Sequence, residues 1–239
     1  MSIIKTENYQ IIYNEQILED LETAKAISKK FDEIIPSLTD FFQLPQPQKN
    51  VQVKLYDNLD DFQNYVNQSF EKKYESLKKI NPNIQKDTWE NWIIGYGGNN
   101  RIDMLNISLC KTKTIHTNTT LNDMIKLATH ELVHVYHTQA LTQHNCPPFL
   151  MEGIATQLAE QSYYQLDEIK CTGQDLLENF NIIPDNYHSA YTLMGYMLEH
   201  YTHNELLDII TLKKPLNTQD LDNLISQTNQ QLTKTHTKQ

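Results

Sequence analysis

The chain is poor in cysteine, and the three cysteines that it has follow no regular spacing. Cys110, Cys146 and Cys171 are an odd number and form no CxxC pair. An odd, irregular set is a poor basis for a disulfide framework, and zinc sites made of cysteines normally use CxxC pairs. The sequence therefore argues against a disulfide-stabilised fold and against a cysteine zinc site, and it favours three reduced thiols.

Positive charge and long apolar runs are also scarce. Lysine and arginine number 20 against 30 aspartates and glutamates, which gives a formal net charge of −10. Because contacts to phosphates need a basic face, this balance argues against a nucleic-acid partner. The first residues contain no apolar stretch of signal-peptide length, and no later run is long enough to cross a membrane. We therefore expect a cytoplasmic protein without a membrane partner.

What the 239 residues do contain is a succession of helix and strand patterns in a length that suits one domain with two lobes. Alternating apolar residues predict short strands at 8–14 and 51–56. The segment 92–109 predicts a strand, a glycine-rich turn and a second strand that begins at Arg101. Helices are expected, before a frayed polar tail, at 15–43 (interrupted or restarted at Pro36), 58–79, 120–140, 148–165, 166–179, 187–202, 204–212 and 218–229.

The strongest chemical signal is the motif His130-Glu131-Leu132-Val133-His134, which lies in a segment with helical periodicity. Residues four positions apart lie on one face of a helix, so both imidazoles can reach one tetrahedral zinc. Glu131 projects beside them and can take a proton from a water that the metal activates. The apolar flanks predict a buried helix, in which such polar side chains need a partner, and a metal ion supplies one.

A zinc held by two histidines needs a third protein ligand. Glu152 is the best candidate, because it lies early in the next predicted helix and the loop between the two helices allows an antiparallel return. His137 lies on the same helical face but one turn beyond His134, so we expect it to line a substrate cleft or to pack. His144, in the connecting loop, is a weaker alternative as a ligand.

The motif HELVH followed by FLMEGIA resembles the gluzincin superfamily of metallopeptidases, in particular the small peptidase MA-like proteins. The resemblance implies an α+β, thermolysin-like zinc-peptidase fold in which 1–239 is a single domain. Its lobes would be about 1–140, with a mixed sheet and the active-site helix, and about 141–239, which is helical. It also implies a zinc ion and four site residues, namely the metal ligands His130, His134 and Glu152 and the general base Glu131.

Three further expectations follow from the resemblance. The late helix around Tyr187 matches the one that carries the family's oxyanion donor, and Tyr191 fits that role best, with Tyr187 and His188 as alternatives. The strand 101–109 resembles the family's active-site edge strand, along which a substrate would lie extended. The glycine-rich segment before it lacks the glutamate by which the aminopeptidases capture a free amine, which argues against an aminopeptidase.

The sequence thus predicts a zinc metallopeptidase that hydrolyses peptide bonds in a peptide or protein substrate. Two other functions stay open. The first is a non-catalytic zinc-binding interaction module, against which the presence of Glu131 argues, and the second is an amidase that acts on a non-peptide substrate. No pattern in the sequence indicates the cleavage specificity or the oligomeric state.

Overall fold

The structure, a computed structural model, describes residues 1–79, 88–98, 100–143 and 145–236. The contacts within the chain divide it into two compact units. The first unit contains Met1–Ile35 and Pro47–Leu132, and the second contains Pro36–Gln46 and Val133–Gln239. The boundary after Leu132 falls inside the helix that carries the HELVH motif, so this helix contributes residues to both units.

Within the described residues, the first unit contains a five-stranded mixed sheet. Its strands are β1 Ser2–Lys5, β2 Tyr9–Tyr13, β3 Val51–Tyr56, β4 Gly95–Gly98 and β5 Arg101–Leu105. Their order is β1-β2-β3-β5-β4, so β1 and β4 form the two edges. The central pairs β2/β3 and β3/β5 are parallel, whereas β1/β2 and β4/β5 are antiparallel. The alternation in β2 and β3 buries every second residue, as the sequence predicts.

The segment 92–109 folds differently from the prediction. The glycines do not form a turn but make up β4 itself, and the strand that begins at Arg101 ends at Leu105. The strand ends there because the Asn106 side chain accepts a hydrogen bond of 2.9 Å from the Leu109 N–H and so begins a helix as its N-cap. The expected edge strand 101–109 is therefore wrong in two respects, since β5 is shorter and lies inside the sheet.

The described part of the first unit contains, wholly or partly, four helices: α1 Leu18–Phe41, α2 Leu59–Lys78, α3 Ile107–Lys113 and α4 Leu121–Ala140. The predicted interruption of α1 at Pro36 is wrong, because the helix continues through this residue. A proline inside a helix removes one backbone hydrogen bond. The buried side chains of Ile35 and Leu38 on either side of it offset that loss, since packing of an apolar face supplies most helix stability in proteins.

The described residues of the second unit are mainly helical. Its helices are α5 Pro148–Leu158, α6 Gly173–Glu178, α7 Asn186–His200, α8 His203–Ile210 and α9 Thr218–His236. α5 and α7 pack closely at Gly153, where an added Cβ would lie only 2.8 Å from the Ala190 carbonyl oxygen. The absence of a side chain at this position therefore allows the two helices to approach each other.

Three predicted helix limits in this unit are wrong. α5 ends at Leu158 instead of near residue 165, and Glu160 follows with a left-handed φ of 56° that cannot continue the helix. The expected helix 166–179 is reduced to α6, which begins late because Thr172 forms a capping box with Asp175. α9 continues to His236, so the tail that was expected to fray is helical up to that residue.

The helices also bear on membrane association. Among the residues that the structure describes, no helix is both long and apolar enough to cross a bilayer. The longest, α1, has 24 residues but is amphipathic, with Lys25 and Lys29 exposed on the side away from its buried face.

Asp20 is a buried carboxylate in the first turn of α1, with 1% of the residue exposed. Asn106 Nδ2 donates a hydrogen bond of 3.1 Å to its Oδ1, while Oδ2 is buried without a hydrogen-bond partner among the described residues. Burial raises the pKa of Asp20 from 3.8 to about 6, and the charge of Asp57 adds to the increase. The folded state therefore binds this proton more tightly than the unfolded state does, so stability falls as the pH rises from about 4 to 6.

Asp20→Asn should raise the free energy of unfolding at pH 7.5 by about 1–2 kcal/mol, because the amide keeps the acceptor for Asn106 and removes the buried charge. The gain should disappear near pH 4, where Asp20 is protonated in the folded protein. Urea denaturation at both pH values measures the effect, and the exposed Asp60→Asn serves as the control. Equal stabilities of Asp20→Asn and the parent protein at pH 7.5 would contradict this account.

Candidate metal centre

Helix α4 positions the HELVH motif, and both its start and its apolar face are well defined. The Thr120 N–H donates to Asp123 Oδ2 (2.8 Å) and the Asp123 N–H donates to Thr120 Oγ1 (3.3 Å), which together form a capping box at the start of the helix. Around the motif, Leu132 and Val133 are fully buried. The helix is thus anchored by apolar packing, as the flanking sequence predicts.

The structure brings His130, His134 and Glu152 together. One potential ligand atom from each residue lies within 4.8 Å of the other two, and His134 Nε2 is 3.6 Å from Glu152 Oε1. The two histidines are one turn apart on a continuous helix, so the helix itself fixes their spacing. Among the described residues, no other group of three or more histidine, cysteine, aspartate or glutamate side chains converges in this way.

The chemistry of these donors fits a zinc ion. Two imidazole nitrogens and one carboxylate oxygen are a donor set of catalytic zinc sites and leave one tetrahedral position for water or substrate. Calcium and magnesium prefer sites built from oxygen ligands. The thiols are not part of the cluster, since its ligand atoms come from His130, His134 and Glu152 alone.

Hydrogen bonds to the end of α8 fix the beginning of the segment that connects α4 to α5, the helix that carries Glu152. Thr142 donates from its N–H (3.0 Å) and from its hydroxyl (2.8 Å) to the carbonyl oxygen of Thr211, at the end of α8. Gln143 Nε2 donates to the carbonyl oxygen of Leu212 (2.9 Å). Glu152 then lies in the second turn of α5. The alternative ligand His144 falls outside the described residues.

Glu131 is 7% exposed and lies against the edge strand β4. A Cβ added to Gly97 would overlap Glu131 Oε2 and would lie 3.2 Å from both the Cβ and the carbonyl oxygen of Glu131. The strand can therefore approach α4 only because this position has no side chain. Sequence reasoning missed Gly97, although the alternate glycines in the string GYGG are the signal of a strand face that another element approaches closely.

The three candidate oxyanion donors all lie on α7. Tyr191 is 9% exposed, burial raises the pKa of its phenol, and its hydroxyl makes no hydrogen bond among the described residues. Its carbonyl oxygen accepts a hydrogen bond of 2.7 Å from Gln157 Nε2, which ties α7 to α5. Tyr187 and His188 contact the ring of Tyr164, with centroids 6.0 and 4.9 Å apart. The assignment of Tyr191 as the oxyanion donor therefore stays a prediction.

His137 packs inside the second unit. It is fully buried, its ring stacks on Phe42 at 5.6 Å, and its Nε2 lies 2.7 Å from the carbonyl oxygen of Ile210. Burial lowers the pKa of this imidazole from 6.5 to about 4, so at neutral pH it is uncharged and donates its Nε2–H to that carbonyl. Of the two expectations for His137, packing is confirmed, and the role in a substrate cleft is wrong because no part of the ring is exposed.

The lowered pKa of His137 predicts acid lability. Between about pH 6.5 and 4 the unfolded chain binds a proton at His137 that the folded protein excludes. The contribution of neutral His137 to the free energy of unfolding is therefore complete above pH 6.5 and is lost as the pH falls towards 4. His137→Gln keeps a donor for Ile210 and cannot titrate. We expect this substitution to reduce the slope of the unfolding free energy against pH in this range. The reduction should correspond to nearly one proton fewer taken up on unfolding, and urea denaturation at several pH values measures it. The exposed His200→Gln should keep the parental slope, and an unchanged slope in His137→Gln would contradict the assignment.

Comparison with known proteins adds no assignment to this geometry. No protein-family model, no curated protein and no solved structure matches the chain. The cluster of His130, His134 and Glu152, with Glu131 beside it in the sequence, is therefore the observation on which a functional assignment depends.

Proposed function

We propose that the chain is a zinc-dependent metallopeptidase with a gluzincin-type fold. The observation that carries this proposal is the convergence of His130, His134 and Glu152 to within 4.8 Å, next to a nearly buried Glu131. Three protein ligands with an adjacent carboxylate form the constellation of hydrolytic zinc sites. A structural zinc site would instead use four protein ligands, and the described residues offer three.

His130, His134 and Glu152 would hold the zinc ion. When bound, the ion would supply Lewis acidity, which polarises carbonyl groups and lowers the pKa of water. Glu131 accepts a proton from the attacking water and then delivers it to the leaving amine nitrogen as the C–N bond breaks. Because Glu131 is largely screened from bulk solvent, its carboxyl group can keep the proton between the two steps.

The outer edge of β4, which pairs with no strand among the described residues, suits an extended peptide substrate. In the described sheet β4 pairs with β5 on one side, and its other side presents backbone N–H and C=O groups to which a peptide strand can bind. Gly97 lies directly against Glu131, so a peptide on this edge would pass beside the proposed general base. This edge replaces the strand 101–109 as the proposed substrate-binding strand and favours a peptide over a compact non-peptide amide.

The purified protein should contain one zinc ion per chain by elemental analysis. Glu152→Ala should weaken zinc binding by more than the roughly 10- to 100-fold that removal of an outer-shell partner costs, because it deletes a direct ligand. Competition with a chromophoric chelator measures this affinity. The exposed Glu168→Ala is the matched control and should bind zinc like the parent protein. A parent protein that neither contains nor takes up zinc would refute the proposed centre.

Glu131→Gln should keep the zinc content and the unfolding midpoint of the parent protein but lose hydrolysis, because an amide cannot accept the proton of water. Loss of a general base lowers the rate by about 100- to 10,000-fold. A substrate is first selected by screening the parent protein against a peptide library with and without chelator, and kcat and KM are then compared. Hydrolysis by Glu131→Gln at the parental rate would show that the base has been assigned wrongly.

A further inference from the structure

In the contact between β4 and α4, two glycines on one face of the strand lie opposite two side chains on one face of the helix. Gly95 and Gly97 are two residues apart and therefore face the same side of the strand, while Leu127 and Glu131 are four apart and lie on one side of the helix. An added Cβ at Gly95 would lie 2.9 Å from Leu127 Cδ1, and one at Gly97 would overlap Glu131 Oε2. Tyr96, between the two glycines, contacts Phe70 at 5.6 Å between ring centroids.

The two glycines differ in what a side chain would displace. At Gly95, an added Cβ would overlap the movable end of the Leu127 side chain, at 2.9 Å from Cδ1, and would come no closer to the Glu131 carboxylate than 3.2 Å, at Oε1. At Gly97, the carboxylate of Glu131 occupies the place of the missing side chain, and the Glu131 Cβ and carbonyl oxygen stand just behind it. Because the buried face of α4 resists movement, a methyl group at Gly97 must turn the carboxylate away or push the strand outward.

We infer that Gly97 is a positioning residue for the general base: its missing side chain leaves the space that the Glu131 carboxylate fills, and this contact fixes the direction in which the carboxylate points. The inference rests on the proposed function, since it assigns Gly97 a role in that reaction. Proton transfer requires the base within hydrogen-bonding distance of the reacting water, so the direction of the carboxylate limits the rate.

The pair Gly97→Ala and Gly95→Ala tests this role in the zinc-loaded protein. Gly97→Ala should lower kcat by about a hundredfold, as small misplacements of catalytic groups do, while KM stays within about twofold and the zinc content is unchanged. Gly95→Ala should lower kcat much less than Gly97→Ala does, because its methyl group would overlap only the movable end of Leu127 and would lie 3.2 Å from Glu131 Oε1. Equal kcat values for the two variants would overturn the inference, and so would an increase in KM without a decrease in kcat.

A double-mutant cycle on protein stability tests the contact between Gly97 and Glu131 without any substrate. Gly97→Ala should lower the urea midpoint of unfolding in the parent protein and should lower it less when Glu131→Ala has removed the carboxylate. Additive effects would mean that the methyl group does not meet Glu131, and this outcome would also overturn the inference, even if Gly97→Ala were too unstable for kinetics.

The two experiments separate the inference from the function on which it rests. Absence of any peptide hydrolysis by the zinc-loaded parent protein would refute the proposed function, whatever the double-mutant cycle shows. A parent protein that needs Glu131 for hydrolysis, together with a fully active Gly97→Ala variant, would refute only the role of Gly97.

Discussion

Burial of the apolar face of α4 is the interaction on which the candidate centre depends. Ala128, Leu132 and Val133 are completely excluded from solvent, and this burial offsets the cost of placing three ionisable side chains on the same two turns. Because the helix is continuous, the spacing of His130 and His134 needs no support from loops. The histidine pair is therefore the most rigidly defined part of the site.

Glu152 lies on a different helix from the histidines, so its place in the cluster depends on tertiary contacts. Its position depends on the hydrogen bonds that hold Thr142 and Gln143 to the end of α8, and on the close packing of α5 against α7 at Gly153. His137 adds a third connection between the end of α4 and α8 through its bond to Ile210. These contacts lie within the second unit, so the placement of Glu152 relative to His134 is determined by that unit alone.

The sequence predicts the site better than it predicts the sheet edge, and the reason is physical. The HELVH spacing and the burial of α4 are local consequences of helical periodicity. The end of β5 was mispredicted because the apolar alternation continues to Leu109, and only the cap at Asn106 outweighs it. The glycines of β4 were mispredicted as a turn because glycine marks turns as well as strand faces that another element approaches, and only the packing against α4 decides between the two. Comparable long-range packing explains why α1 continues through Pro36.

The composition of β4 has a consequence for its dynamics. Glycine loses more conformational freedom on folding than any other residue, and three of the four residues in this edge strand are glycines. The strand is thus held by its pairing with β5 and its contact with α4, and it is a natural place for local opening and rapid amide exchange. Such an opening would release Glu131 from β4 without disturbing the spacing of His130 and His134. If the cluster binds zinc as proposed, a molecule could keep the ion while its proposed base is displaced, so zinc content alone would not report the fraction of molecules with an ordered base.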